Sequence, residues 1–246
     1  MKEYDVVILG AGSAGLSARR EVAKITDNYM VFDGGELGTT CARVGCMPSK
    51  VLIQAANDFH RRKCLHIEGI QNGSALTVDI PETLKHVRSL RDRFVRAVKG
   101  GMEDWTKTHL TNKYAKFLDE KTLEVDGEKV GFKKAVVATG SSPTVPSPFE
   151  DCMDFVLTSD TIFEQEDLPK KMAVVGLGVI GIELGQALAR LGIDVIGINR
   201  RKCISAVTDE EMNNYICDKF CEEMNINFTG VKEISQRDNE LIIDAF

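Results

Sequence analysis

The chain has 246 residues, of which 43% are hydrophobic and 28% charged, leaving room for one large or two modest domains. A net charge of −6 argues against a general nucleic-acid binder, which needs a basic face to neutralise phosphates. No stretch is long and apolar enough to span a bilayer, and the first apolar run, Val6-Val7-Ile8-Leu9, stops at Gly10 and reads as a buried strand. It is too short for a signal peptide, so a cytoplasmic location is the default expectation.

Asp5 to Leu9 runs into Gly10-Ala11-Gly12-Ser13-Ala14-Gly15 and then into a helical pattern through Ala18 and Val22. This is strand, glycine loop and helix in the order of a dinucleotide-binding unit. Gly10 makes the turn, Gly12 admits the pyrophosphate and Gly15 lets helix and strand approach. Asp33 closes the unit by ending the strand Tyr29-Met30-Val31-Phe32, where an acidic side chain can bind both ribose hydroxyls. The fingerprint alone does not choose between FAD and NAD, because both carry an ADP moiety.

Gly38-Thr39-Thr40-Cys41 and Gly45-Cys46-Met47-Pro48-Ser49-Lys50 follow. The spacing lets Cys41 and Cys46 close a small ring, and Pro48 suits a first helical turn, which places Cys46 at a helix N-terminus. The positive end of that helix, with Lys50 one turn on, favours a thiolate at Cys46. The odd total of seven cysteines in a chain with no export signal argues that most are reduced.

Residues 51–60 continue a helix, and Leu84, Val87, Leu90, Phe94 and Val98 repeat at helical spacing with a core reading. Phe117 to Val125 and Gly131 to Val137 read as strands, with turns at Glu120-Lys121 and Asp126-Gly127. Ala138-Thr139-Gly140 then forms a tight turn, and Pro143, Pro146 and Pro148 punctuate a linker. This divides the chain into a first domain, 1–150, and a second, 151–246, whose segment 151–169 crosses between them.

A second fingerprint starts at the strand Met172 to Val175, continues through Gly176-Leu177-Gly178-Val179-Ile180-Gly181, and enters a helix with Leu184, Leu188 and Leu191 on one face and Gly192 as its stop. The next strand, from Asp194, ends at Asn199 instead of Asp or Glu. The following Arg200-Arg201-Lys202 can grip a 2′-phosphate, while Asn199 can bond a ribose hydroxyl; NAD is the slightly preferred expectation and NADP the alternative. Thr208 to Glu211 reads as a capping box opening a helix with Met212, Ile216, Phe220 and Met224 in a stripe. Cys217 and Cys221 flank that stripe with no third ligand nearby, so no metal site is expected.

The cysteine segment, Cys-x4-Cys then Pro-Ser-Lys after Gly-Thr-Thr, resembles the redox-active segment of the flavin disulfide reductases, and most resembles their dihydrolipoamide dehydrogenase branch. The resemblance implies an α/β protein with two doubly wound, Rossmann-like dinucleotide domains, the first for FAD with a redox-active Cys41–Cys46 disulfide, the second for NAD(P) and incomplete. It implies Cys46 as the charge-transfer thiolate and Cys41 as the interchange thiol. Lys50 would lie by the flavin, Glu183 would approach the nicotinamide, and the backbone of Ala115 would meet the adenine. Ala138, Thr139 and Gly140 would form the second flavin turn, with Gly38 and Thr40 in the flavin site and Val231, Val179 and Ile180 in the nicotinamide cofactor's. A lipoyl-type dithiol is the expected substrate and a homodimer the expected assembly. The later Gly-Asp flavin turn and the interface domain that supplies a His–Glu pair have no match before Phe246, so the chain reads as a fragment. Glutathione- or mercury-reducing relatives, and a non-catalytic flavin-binding redox sensor, are the alternatives.

Overall fold

Val7, Ile8 and Leu9 are buried because their strand runs through the middle of a sheet. The computed structural model describes residues 1–238 and 240–245; Phe246, the last residue of the second expected domain, lies outside them. In chain order the first elements are β1 (Lys2–Leu9), α1 (Ser13–Val22), β2 (Tyr29–Phe32), the single turn α2 (Thr40–Arg43), α3 (Cys46–His60), α4 (Ile80–Gly100), α5 (Glu103–His109) and β3 (Leu110–Thr111). They are followed by β4 (Ala115–Asp119), β5 (Thr122–Val125), β6 (Glu128–Val137), β7 (Lys171–Val175), α6 (Val179–Arg190), β8 (Asp194–Ile198), α7 (Glu210–Cys221), β9 (Asn225–Asn227), β10 (Val231–Arg237) and β11 (Glu240–Ala245). These elements make two units, Met1–Met47 with Ser89–Ser142, and Pro48–Arg88 with the residues from Pro143 onward.

The first unit holds a six-stranded sheet in the order β3-β2-β1-β6-β5-β4. β1 pairs in parallel with β2 and β6, and β2 with β3, whereas β4, β5 and β6 form an antiparallel meander. The meander turns where the sequence places its turns. Asp126 and Gly127 both take positive φ, 54 and 81, as a two-residue hairpin turn requires. Val7, Leu9, Phe32, Leu123 and Phe132 form one apolar cluster, and Ile8, Val31, Met102 and Trp105 another.

The second unit carries a three-stranded parallel sheet, β7-β8-β9, and a separate hairpin, β10-β11. Its core joins Leu52, Ala56, Leu84 and Val87 to Phe163, Leu177, Ile182, Leu188, Ile204 and Cys217. Phe163 is 1% exposed, and burying an apolar side chain of that size stabilises by about 1.5–3 kcal/mol. Leu184, Leu188 and Leu191 face inward as the periodicity requires, and Gly192, at φ 92, ends the helix. α7 differs from the sequence reading. Its cap is Asp209, whose side chain accepts from the Met212 N–H at 2.8 Å, not Thr208. Of the expected stripe, Ile216 and Phe220 pack on the core and Met224 is buried, whereas Met212 is exposed and Cys217 is fully buried.

A charged cluster ties this unit together. Arg190 donates to both carboxylate oxygens of Glu223, at 2.6 and 2.7 Å, and to Asn57 Oδ1 at 2.5 Å, while Gln186 donates to Glu223 Oε1 at 3.0 Å. The Arg190 hydrogen bonds hold the Glu223 carboxyl below its usual range. A lowered folded-state value contributes stability above the unfolded value and loses it as pH falls through the folded one. Glu223→Gln should therefore cost on the order of 2 kcal/mol at neutral pH. The gap in melting temperature between wild type and variant should close in acid, and a gap that widens there would contradict the assignment.

Candidate functional site

The carboxyl ends of β1, β2 and β6 open onto one hollow. Gly10 N–H donates to Phe32 O at 2.7 Å and Ala138 N–H to Leu9 O at 2.8 Å, carrying the ladder just past the strand ends. Gly10 sits at φ 104, and a Cβ there would lie 2.2 Å from the Ala138 carbonyl oxygen, so no larger residue fits. A Cβ on Gly15 would lie 1.8 Å from Gly10 O, because α1 packs directly on the turn. At Gly12, by contrast, an added Cβ meets nothing within 4 Å, which leaves an open floor at the helix N-terminus.

The hollow encloses about 240 Å³. Gly10, Gly12, Asp33 and Thr40 line it, as do Ala115, Ala138, Thr139 and Gly140 from the far strands, so these expected cofactor residues are brought together. Asp33 Oδ2 accepts from Ala11 N–H at 2.6 Å and Oδ1 from Gly35 N–H at 2.8 Å, which orients the carboxylate and leaves a lone pair on each oxygen for a diol. Tyr114 also lines the hollow and lies flat on the chain at Gly34, where a Cβ would come 2.4 Å from its ring. Open glycine floor, helix N-terminus and oriented carboxylate fit the ADP end of a dinucleotide. Ser13, Ala14, Gly15 and Gly38 stand outside this lining.

Cys41 lies in α2, half-buried, and Cys46 is the exposed first residue of α3. Both are free thiols, joined by a hydrogen bond that raises the Cys41 thiol above its ordinary value, with burial as the second cause. The structure thus holds the reduced dithiol; a disulfide is its two-electron oxidation product. Thr39 caps α2, its Oγ1 accepting from Ala42 N–H at 3.1 Å, and does so at φ 66, ψ 144. That backbone region is nearly reserved for glycine and costs a threonine roughly 1–3 kcal/mol. The strain sits two residues from Cys41. No sequence pattern flags it.

Removing Cys46 as Cys46→Ala takes away the larger upward push on Cys41. Alkylation of Cys41 by iodoacetamide, followed by peptide mass spectrometry across a pH series, should then begin at lower pH than in wild type. An unchanged onset would show that burial alone sets it.

Cys41 opens onto a second cavity of about 520 Å³, walled by Leu16, Phe94, Val98, Met102 and Trp105, with Ser13, Arg19 and Arg20 as polar members. Arg19 donates to the Tyr29 hydroxyl at 2.8 Å and lies 4.8 Å from the Trp105 ring centre. No acid or histidine lines this cavity among the described residues. Thr39 lines both cavities, and Thr40 faces the nucleotide hollow while the next residue, Cys41, faces the larger space.

In the second unit, Lys50 donates to both oxygens of Glu183 at 2.8 Å, a pairing that sequence spacing could not reveal because the partners are far apart in the chain. The second glycine turn repeats the construction of the first. Gly176, at φ 92, donates to Ile198 O at 2.8 Å, and a Cβ on Gly181 would lie 2.0 Å from Gly176 O. Gly178 again has open space around an added Cβ, and Val179 and Ile180 are exposed beside it. Asn199 follows β8, and Val231 opens β10 next to Gly230, where a Cβ would come 3.3 Å from Arg200 Cγ.

Known proteins share this arrangement. A family model described as pyridine nucleotide-disulphide oxidoreductase matches residues 4–244. The mercuric reductase of Bacillus cereus is 32% identical over 222 residues, covering 90% of this chain and 35% of that protein. The dihydrolipoyl dehydrogenase of Thermus scotoductus is 31% identical over 214 residues, covering 86% and 45%. Among solved structures, the Cu(II) complex of the HOCl-induced flavoprotein disulfide reductase RclA from Escherichia coli superposes with a TM-score of 0.81 at 20% identity. The match covers 98% of this chain and 52% of that one, which shows a shared fold. The chain spans between about a third and a half of the relatives it matches. Because the family model covers nearly the whole chain, with two glycine fingerprints each following a strand that pairs in parallel and a dithiol beside the first, the chain belongs to the pyridine nucleotide-disulphide oxidoreductase family.

Proposed function

We propose that the chain carries the flavin, nicotinamide and dithiol centres of a flavoprotein disulfide oxidoreductase that moves two electrons between a nicotinamide cofactor and a lipoyl-type dithiol. The observation that carries this reading is the position of the dithiol: Cys41, hydrogen-bonded to Cys46, faces the apolar cavity, while the residue before it faces the nucleotide hollow. We assign residues 1–150 to the FAD domain and 151–246 to the NAD(P) domain, with a homodimer and a cytoplasmic setting as further parts of the proposal.

Gly10, Gly12 and the N-terminus of α1 would receive the FAD pyrophosphate, Asp33 its ribose, and Ala115 its adenine, with Ala138 to Gly140 closing the site. When bound, the flavin supplies two-electron chemistry between nicotinamide and dithiol. The thiol chemistry belongs to the chain. In the direction of dithiol oxidation, a substrate thiolate attacks Sγ of Cys41 in the oxidised pair; the S–S bond breaks and Cys46 leaves as thiolate. The second substrate thiol attacks the mixed disulfide, releasing Cys41 and a disulfide product. Two electrons remain on the cysteine pair, and the two substrate protons need an acceptor. Among the described residues no acid or histidine lines the cavity beside Cys41 to take them. Lys50, which donates to both oxygens of Glu183, would lie by the flavin, and Glu183 would approach the nicotinamide.

The apolar walls around Cys41 suit an aliphatic dithiol, while Ser13, Arg19 and Arg20 in the same lining keep glutathione disulfide as an alternative. Relatives named mercuric reductase support a second reading in which a thiophilic metal ion is the substrate. Steady-state assays with dihydrolipoamide, glutathione disulfide and Hg(II), run on the same flavin-loaded preparation, separate these. Turnover with dihydrolipoamide supports the first reading. Turnover with glutathione disulfide or Hg(II) alone would replace it.

A further inference from the structure

Asp33 is followed by two adjacent glycines, Gly34 and Gly35, the residues with the greatest backbone freedom. The Gly35 N–H nevertheless donates to Asp33 Oδ1 at 2.8 Å and, with the Ala11 N–H on Oδ2, orients the carboxylate that lines the nucleotide hollow. Stiffer residues do not fit in place of the pair. A Cβ on Gly34 would lie 2.4 Å from the Tyr114 ring, and one on Gly35 would lie 3.2 Å from Asp33 Oδ1. A loop this free keeps one shape only if another part of the chain holds it.

The segment after β3 supplies the hold. Thr111 O accepts from the Asp33 N–H at 3.1 Å, which continues the pairing of β2 with β3. The Asn112 side-chain amide then donates to the carbonyls on both sides of the glycine pair, Asp33 O at 2.5 Å and Gly35 O at 3.0 Å. Lys113 N–H donates back to Thr111 O at 2.9 Å and folds the segment tightly, so that the Tyr114 ring comes to rest against Gly34. Asn112 is exposed and stands outside the lining of the hollow, so it acts on a nucleotide there only through the loop.

We infer that Asn112 is a positioning residue for the ribose end of the FAD site: by gripping the backbone before and after the glycine pair, it holds the Asp33 carboxylate ready for both ribose hydroxyls. The inference rests on the first fingerprint being the FAD site. Without the clamp, the glycine pair has to be ordered when the ligand binds, and that lost freedom is subtracted from the affinity.

Reconstitution of the flavin-stripped full chain with FAD, followed by quenching of flavin fluorescence, tests this in a double-mutant cycle with Asp33→Ala. Asn112→Ala, at an exposed position, should leave the melting temperature of the flavin-free protein close to that of wild type and raise the FAD Kd about tenfold. Asp33→Ala should weaken FAD at least as much. Adding Asn112→Ala to it should change Kd by less than about twofold, because the carboxylate that Asn112 serves is gone. Unchanged FAD affinity in Asn112→Ala, or the same loss with and without the Asp33 carboxylate, would overturn the positioning role and leave the FAD site standing. A wild-type chain that binds no FAD would overturn the FAD site and the inference with it.

Discussion

Replacing Cys46 by serine should lower thiol–disulfide turnover by roughly three orders of magnitude or more, because a hydroxyl cannot form the S–S bond whose reduction takes up the electron pair. Cys46 is exposed at the first residue of α3, so the substitution removes no core contact and the melting temperature should stay within a degree or two of wild type. Cys41→Ser should be equally inactive for a different reason, since it removes the sulfur that faces the apolar cavity. The measurement is substrate-dependent NAD(P)H oxidation on proteins of matched flavin content. Activity within tenfold of wild type in either variant would remove the pair from the mechanism.

The second large effect separates packing from ligand binding at two glycines of one turn. Gly15→Val places a Cβ 1.8 Å from the backbone carbonyl of Gly10, and since neither helix nor turn can yield cheaply, α1 must lift from β1. The expected cost is at least about 3 kcal/mol, with loss of bound flavin. Gly12→Ala meets no protein atom within 4 Å, so the fold should keep its melting temperature. Its methyl group nevertheless occupies the floor where a pyrophosphate would lie, and flavin content should fall about tenfold or more. Thermal melts and the flavin absorbance of the purified proteins check both. Equal flavin content in Gly12→Ala and wild type would mean that the ligand does not approach there.

Much of this is legible in the sequence because the first fingerprint and the cysteine segment are local. Strand, turn and helix follow one another within a few residues, so spacing and conformational preference alone place Gly10, Gly12, Asp33 and Cys46. Periodicity also marks Leu84, Val87 and Leu188 as buried. It cannot say against what, and the packing of Leu52 and Leu84 with Phe163 and Leu188 depends on chain paths that no local pattern encodes. The same limit hides the Lys50–Glu183 pair and the Arg190–Glu223–Asn57 cluster. The cap of α7 falls one residue from its expected place because Thr208 and Asp209 are both good caps, and only the backbone decides between them. Thr39 carries no signal in the sequence, since its strain lies in φ and ψ, which residue type does not report.

The central claim is that Cys41 and Cys46 form a two-electron store coupled to a bound flavin. Anaerobic reductive titration of the purified, oxidised protein with dithionite tests it most directly. The account predicts four electrons per flavin in wild type, two for the flavin and two for the cysteine pair, falling to two in Cys46→Ser. Uptake of only two electrons per flavin by wild type, or a protein that binds no flavin at all, would contradict it.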